Sequence, residues 1–301
     1  MKLIAFDYDG TLISRWGDLT LFASQSIKKL QAAGHEIFVV TGRSYLSIYK
    51  ALEKAGLNVG IISNNGNMLR HMGQLDQALK NPLDRQMVAS ILDLLEERGL
   101  EAVLHVDGWE READLLLERE PQSFMMTSYV SYYSNRYRLA SRAEIWEEDV
   151  LSVALYIKEE DYGALAKEIR AIYPRAQVHL LTRSQSSYKL MEVVGEDTNK
   201  WRALWSYAQS RGIKKEDIIA VGDDRNDQEM IKEAGLGIAM KDSLPELTSL
   251  ADRVTQETAA RDGAIKEVMD YLGIDYEVED GDEYQLVSRA YEKNLGKNRR
   301  K

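Results

Sequence analysis

Short apolar runs alternate along the chain with stretches whose apolar residues recur every three or four positions, and glycines or polar turns stand at most of the joints. Leu3-Ile4-Ala5-Phe6 has the pattern of a buried strand. Residues 19–33 place Phe22, Ala23, Ile27 and Leu30 at helical spacing and stop at Gly34. Glu36–Val40 reads as the next strand. Residues 44–55 form a helix that buries Ile48, Leu52 and Ala55, and Val59–Ile62 is a third strand ending at Ser63-Asn64-Asn65-Gly66. Strand, helix, strand at this spacing predicts a doubly wound, Rossmann-like parallel sheet.

The rhythm changes after about residue 70. A helix is predicted over 83–98 and strands at Ala102–Val106, Leu151–Ile157, Gln177–Leu181 and Tyr188–Val194, with a helix over 161–172. Hairpin signals among these strands predict a separate α/β piece with an antiparallel sheet. The first rhythm then returns, with a helix over 198–211, strands at Asp217–Val221, Leu236–Met240 and Ala251–Thr255, and a closing helix over 262–272. The fold class is therefore α/β, a core of residues 1–80 and 186–273 with an α/β cap inserted at 81–185. A charged tail follows at 274–301.

Composition narrows the class. The chain has 301 residues, 44% of them hydrophobic, and a formal charge of -10. An acidic balance argues against a nucleic-acid or anionic-membrane surface as partner. It leaves a small anionic substrate open, because one Lys and one Arg in a pocket suffice. Without cysteine, disulfides and thiolate metal sites are excluded. No signal-like segment precedes the first strand, and no apolar stretch is long enough for a bilayer. A soluble cytoplasmic protein is the expectation.

In open parallel sheets ligands bind beyond the carboxyl ends of the strands. Four predicted strands end in reactive groups: Asp7 and Asp9, Thr41-Gly42-Arg43, Asn64-Asn65-Gly66, and Asp223 with Asn226 and Asp227. Side chains alternate along a strand, so Asp7 and Asp9 point the same way. Two such carboxylates call for a cation or a proton between them, and Mg2+, with its taste for oxygen ligands, meets that need. A polar turn after a core strand is the plainer reading of Asp7–Gly10 alone. Together the groups suit phosphoryl transfer. A carboxylate can attack phosphorus, a second can move protons, and hydroxyl, amide and lysine donors can hold the oxygens.

Asp7-Tyr8-Asp9-Gly10-Thr11-Leu12, Val40-Thr41-Gly42-Arg43 and Gly222-Asp223-Asp224-Arg225-Asn226-Asp227, in that order, resemble the haloacid dehalogenase superfamily of phosphatases. The position of the insert resembles the Cof-type subgroup with its class IIB-like cap. The resemblance implies a Mg2+-dependent phosphatase that acts on a small phosphorylated metabolite, such as a sugar phosphate, through a phosphoaspartate. It implies Asp7 as nucleophile and Asp9 as general acid/base, with the Asp9 backbone carbonyl on the metal. Asp223 would be a metal carboxylate, with Asn226 and Asp227 positioning the ion, its waters and the lysine. Thr41 and Gly42 would bind phosphate. A phosphomutase with a similar cap is the alternative within enzymes, with Arg136, Arg138 or Arg183 at a second phosphate site. A non-catalytic regulatory module is the alternative outside them.

The family's phosphate-binding lysine matches Lys200, which opens a helix after Thr198. Lys189 competes, in a predicted strand where its charge should face outward. Arg43 and Asn65 read as pocket residues, although Asn65 can equally be a turn residue ahead of Gly66 and Arg43 can pin a helix start. Tyr129, Tyr132, Tyr133 and Tyr137 fall near one helical face, either as cap core or as a lid over the leaving group. His35, His71, His105 and His179 lack metal-ligand spacing and receive no role.

Overall fold

The computed structural model describes residues 1–14, 17–181 and 187–276. Arg183 and the tail from Glu277 to Lys301 lie outside the described residues. In chain order the first elements are β1 (Leu3–Asp7), α1 (Leu21–Ala32), β2 (Glu36–Val40), α2 (Tyr45–Lys54), β3 (Gly60–Ser63), β4 (Met68–His71) and β5 (Ala78–Lys80). The middle of the chain gives α3 (Arg85–Glu97), β6 (Ala102–Val106), β7 (Leu115–Leu117), α4 (Phe124–Tyr132), β8 (Tyr137–Leu139), α5 (Arg142–Trp146), β9 (Val150–Lys158), α6 (Tyr162–Ile172), β10 (Gln177–Leu181), β11 (Tyr188–Val194) and α7 (Lys200–Ser210). The last part gives β12 (Ile218–Gly222), α8 (Gln228–Glu233), β13 (Leu236–Ala239), α9 (Pro245–Thr248), β14 (Arg253–Val254) and α10 (Gly263–Leu272).

The chain divides into two compact units. The first comprises Met1–Phe38, Ala55–Leu57 and the chain from Ile213 on. In it β1, β12, β13 and β14 pair side by side, all parallel, with Leu3 opposite Ile218 and Ile219 opposite Leu236. β1 and β12 are buried throughout, which is why both read as unbroken apolar runs. Thr20 caps α1 by accepting from the Ala23 amide at 2.9 Å.

The second unit comprises Val39–Lys54 and Asn58–Gly212. Its smaller ladder is β3-β4-β5, antiparallel, and the end of β2 runs beside it, with the Thr41 amide donating to the Ile62 carbonyl at 2.8 Å. Its larger sheet has six strands in the order β10-β11-β9-β6-β7-β8, antiparallel except for β7 beside β8. β11 lies past residue 185, so this sheet extends into the stretch that periodicity assigned to the core. α3, α5 and α6 cover one face through Met87, Ile91, Ile145 and Leu165, packed on Leu104, Val153, Leu155 and Met191. α4 covers the other face through Met126 and Val130, with Tyr133 at its C-terminal end, packed on Val103, Leu115 and Ala154. The two lists alternate along β6, β7 and β9, as the pleat requires.

Two expectations are corrected here. Lys189 does not face outward: it shares the face of Met191 and Val193, is 7% exposed, and pairs with Glu159 at 3.5 Å. Tyr137 is not on the tyrosine-bearing helix but in β8, while Tyr129 and Tyr133 pack together inward at 5.2 Å and Tyr132 is exposed.

His105, on β6, is 2% exposed, and burial lowers its imidazole to about 4. A base with a lowered folded-state pKa stays neutral in the fold while the unfolded chain takes up a proton below about pH 6.5. Stability is therefore lost on acidification from about 6.5 toward 4. Between pH 7 and 4.5 this group should cost about 2–3 kcal/mol of unfolding free energy. His105→Gln, which keeps a hydrogen-bonding side chain without that titration, should lose correspondingly less in urea denaturation at the two pH values. Equal losses in both proteins would remove His105 from the account.

Candidate active site

The first unit gathers three carboxylates. Asp7 closes β1, Asp223 follows β12, and Asp227 stands one turn further on; all three are buried. One oxygen from each lies within 4.8 Å of the others. Among the described residues this is the one such acidic group.

Local backbone chemistry makes the approach possible. After β1 the chain turns back, with Leu12 donating to the Tyr8 carbonyl at 3.1 Å and Gly10 to the Ile13 carbonyl at 2.8 Å. Gly10 adopts φ 90°, and a Cβ there would fall 2.4 Å from an oxygen of Asp223. Only glycine allows both the turn and the approach. Thr11 then donates its hydroxyl to Asp223 at 3.3 Å. Asp227 accepts from the amides of Asp223 and Asp224 at 3.1 and 3.0 Å through one oxygen, and so fixes the loop that carries Asp223. Asp9 is half-buried on the β1 turn, and its carboxylate is outside the group of three. Asn226 is exposed on the short turn of Arg225–Asp227.

Three oxygen donors of like charge, with no thiolate in the chain, suit a hard divalent cation. Asp7, Asp223 and Asp227 are the side chains of the first unit that can hold it.

The second unit collects the uncharged and basic candidates. Thr41 is buried at the end of β2, and its hydroxyl accepts from the Arg43 amide at 3.1 Å. The next loop is stitched to it: the Asn65 amide donates to the Thr41 carbonyl at 3.0 Å and the Asn64 amide to the Arg43 carbonyl at 2.9 Å. Asn64 and Asn65 both take the left-handed conformation, at φ 49° and 55°, which asparagine tolerates better than most residues. The Asn65 side chain lies against Gly42, its Oδ1 3.0 Å from where a Cβ would stand. Gly66 approaches the start of α7 so closely that a Cβ would sit 2.3 Å from the Asn199 carbonyl. Asn199 caps α7 by accepting from the Arg202 amide at 2.6 Å, and Lys200, its first residue, is 1% exposed. Lys200 is thus carried at the Asn64–Gly66 turn, whereas Lys189 is held on the helix-covered face of the six-stranded sheet. The Arg43 guanidinium lies 5.9 Å from the Tyr132 ring.

Several residues of this unit escaped the sequence reading. Asn67 donates to the Leu151 carbonyl at 2.7 Å and accepts from Thr198 at 2.5 Å, which ties the loop to β9 and to the approach of α7. Asp114 accepts from Arg136 at 2.9 and 3.2 Å and from Ser44. Arg136 is therefore held beside the start of α2, and Arg138 pairs with Glu148. Glu192 is buried in β11 and accepts from the Asn65 side chain at 3.3 Å. A charged residue inside the apolar run 188–194 was the signal available for Glu192.

Comparison with known proteins adds the lineage. A profile of the family described as haloacid dehalogenase-like hydrolase matches residues 4–268. The 5-amino-6-(5-phospho-D-ribitylamino)uracil phosphatase YitU of Bacillus subtilis is 28% identical over 282 residues, 90% of this chain and 98% of that protein. The HMP-PP phosphatase of Cronobacter sakazakii is 27% identical over 252 residues, 82% of this chain and 86% of that one. A subclass IIB sugar phosphatase superposes with a TM-score of 0.70 at 22% identity, over 91% of this chain and 100% of that one. At that identity the likeness speaks for the fold.

The Asp227 clamp has a measurable consequence. Asp227→Ala leaves two amides without their acceptor and should cost about 2–4 kcal/mol. Asp227→Asn keeps an accepting oxygen and should stay within about 1 kcal/mol of the parent. Urea unfolding of both variants distinguishes the clamp from a purely electrostatic role, for which Ala and Asn would behave alike.

Proposed function

The chain belongs to the haloacid dehalogenase-like hydrolase family, as a phosphoric monoester hydrolase, and on that premise we propose that it is a Mg2+-dependent phosphatase of a small phosphorylated metabolite, working through a phosphoaspartate on Asp7. The observation that carries this reading is the group of three buried carboxylates at the ends of β1 and β12. Asp7 attacks phosphorus as the leaving oxygen departs. Asp9 gives that oxygen its proton and then takes one from the water that opens the acyl phosphate. The turn after β1 places Asp9 outside the carboxylate group, which suits a proton carrier rather than a ligand.

Asp7 and Asp223 are the side chains assigned to the metal, with Asp227 holding the loop and Asn226 beside it. When bound, a divalent cation offsets the negative charge of the carboxylates and of the phosphoryl oxygens. Thr41, the Gly42 amide and Lys200 are assigned to the phosphoryl oxygens, with Arg43 and Asn65 toward the rest of the substrate. A lysine as buried as Lys200 is found where anionic groups compensate it, and a phosphoryl group does so during turnover. The substrate class is a sugar phosphate or a similar monoester, in line with the phosphatases named above.

The covalent step separates the two N-terminal carboxylates. Asp7→Asn has no anionic attacking oxygen and should form no adduct. Asp9→Asn should still be phosphorylated by an activated aryl phosphate, whose leaving group needs little protonation, and should accumulate the adduct. Intact-protein mass after rapid acid quench with aryl phosphate and Mg2+ reads both outcomes. An adduct on Asp7→Asn, or on a peptide lacking residue 7, would refute the assignment. Exhaustive chelation should abolish turnover and Mg2+ restore it; activity that survives chelation would remove the metal from the proposal.

A further inference from the structure

The six-stranded sheet is unevenly covered. Among the described residues three helices pack on one face and α4 on the other. Six strands span about 24 Å, while nine helical residues are only about 13 Å long. Towards β9 and β11 this face carries Tyr156 and Leu190, both half-exposed at the edge of the α4 cluster, and the buried Glu192. Register fixes the assignment, because Glu192 stands opposite Ala154 and Leu190 opposite Tyr156.

Glu192 would be an odd choice for a passive core. Burial raises its carboxyl, and Ser152 and Asn65 oppose that only in part. No Arg or Lys pairs with it among the described residues. Three cations of this unit are engaged elsewhere: Lys189 on the opposite face with Glu159, Arg136 with Asp114, Arg138 with Glu148. Its companions are uncharged hydrogen-bonding groups. His105 meets the Tyr129 hydroxyl at 2.8 Å through Nε2, and its Nδ1 has no partner among the described residues. Tyr129 and Tyr156 meet edge to face at 6.0 Å.

Asn65 connects this patch to the phosphate loop. Its carboxamide lies against Gly42, and its Nδ2 donates to Glu192. A substituent on a phosphate held at Thr41-Gly42 thus has Glu192 about one hydrogen-bonded side chain away. A carboxyl in either protonation state accepts from a hydroxyl or an amine, and no cation among the described residues pairs with Glu192 to offset its repulsion of a second anion. We propose that Glu192, with Asn65 and the His105–Tyr129 pair, is the specificity-determining group for the leaving group. It selects an uncharged polyhydroxy or amino-bearing leaving group over one that carries a second phosphate or a carboxylate. This rests on the phosphatase reading and names the substrate class within it.

The test measures kcat and KM with a polyol monophosphate, a sugar bisphosphate and p-nitrophenyl phosphate, for the parent, Glu192→Ala and Glu192→Gln. The parent should prefer the polyol monophosphate over the bisphosphate by at least tenfold in kcat/KM. Glu192→Ala should raise KM for the polyol ester at least tenfold with kcat changed less than threefold, and should reduce kcat/KM for the aryl ester far less. Glu192→Gln keeps the shape and loses the acid, so its ratio of bisphosphate to polyol turnover should rise at least threefold, which decides the matter even if the alanine variant does not fold. An unmoved ratio in Glu192→Gln, or equal losses on polyol and aryl esters in a folded Glu192→Ala, would overturn the proposal and leave the phosphatase reading standing. Failure of the parent to hydrolyse any of the three esters would instead sink that reading, and this one with it.

Discussion

Three carboxylates are buried within 4.8 Å of one another, and like charges brought that close oppose one another unless a cation or a proton lies between them. Much of the first unit serves to hold them there. The parallel pairing of β1 with β12 brings two strand ends level, from Leu3 opposite Ile218 to Phe6 opposite Val221. The absence of a side chain on Gly10 lets Asp223 come close, and the two amides on Asp227 fix the loop between them. Together they make a site suited to a divalent cation, whose binding would link metal affinity to stability.

The second unit solves a different problem with uncharged chemistry. Four residues, Asn64 to Asn67, turn the chain after β3 while reaching three separate elements. Their backbone returns to Thr41 and Arg43, Gly66 abuts the start of α7, and Asn67 bonds β9 and Thr198. Asparagine suits this task because its side chain donates and accepts at once and its backbone accepts φ above zero. Asn65 extends the same logic to Glu192, so one turn positions the Thr41–Arg43 loop, the helix that bears Lys200 and a carboxyl of the six-stranded sheet.

The strand ends were legible because burial on both faces leaves β1 and β12 as unbroken apolar runs, each closed by an aspartate-and-glycine loop. The parallel core and the order of its motifs followed from that rhythm. β7, β8 and α5 were not legible: each has three to five residues, too few for either period to register, and they are fixed by pairing and by the Ser141–Glu144 capping box instead. The orientation of Lys189 failed for a related reason. A lysine in a strand suggests a solvent face, but the alternation of its neighbours Met191 and Val193 places it on the helix-covered side, where Glu159 meets it at the rim. Asp114 and Asn67 act at separations of 70 and 84 residues from Ser44 and Leu151, and no local pattern carries such contacts.

The carboxylate group is the centre of this account, and its energetic sign can be measured directly by thermal unfolding of the parent and Asp223→Asn, each with EDTA and with saturating Mg2+. Asparagine keeps the shape and an acceptor for Thr11 while removing one of the crowded charges. The account predicts that in EDTA the variant unfolds at a higher temperature than the parent, and that Mg2+ raises the parent's midpoint by several degrees but the variant's far less. A parent indifferent to Mg2+, with the variant less stable than it in EDTA, would contradict it.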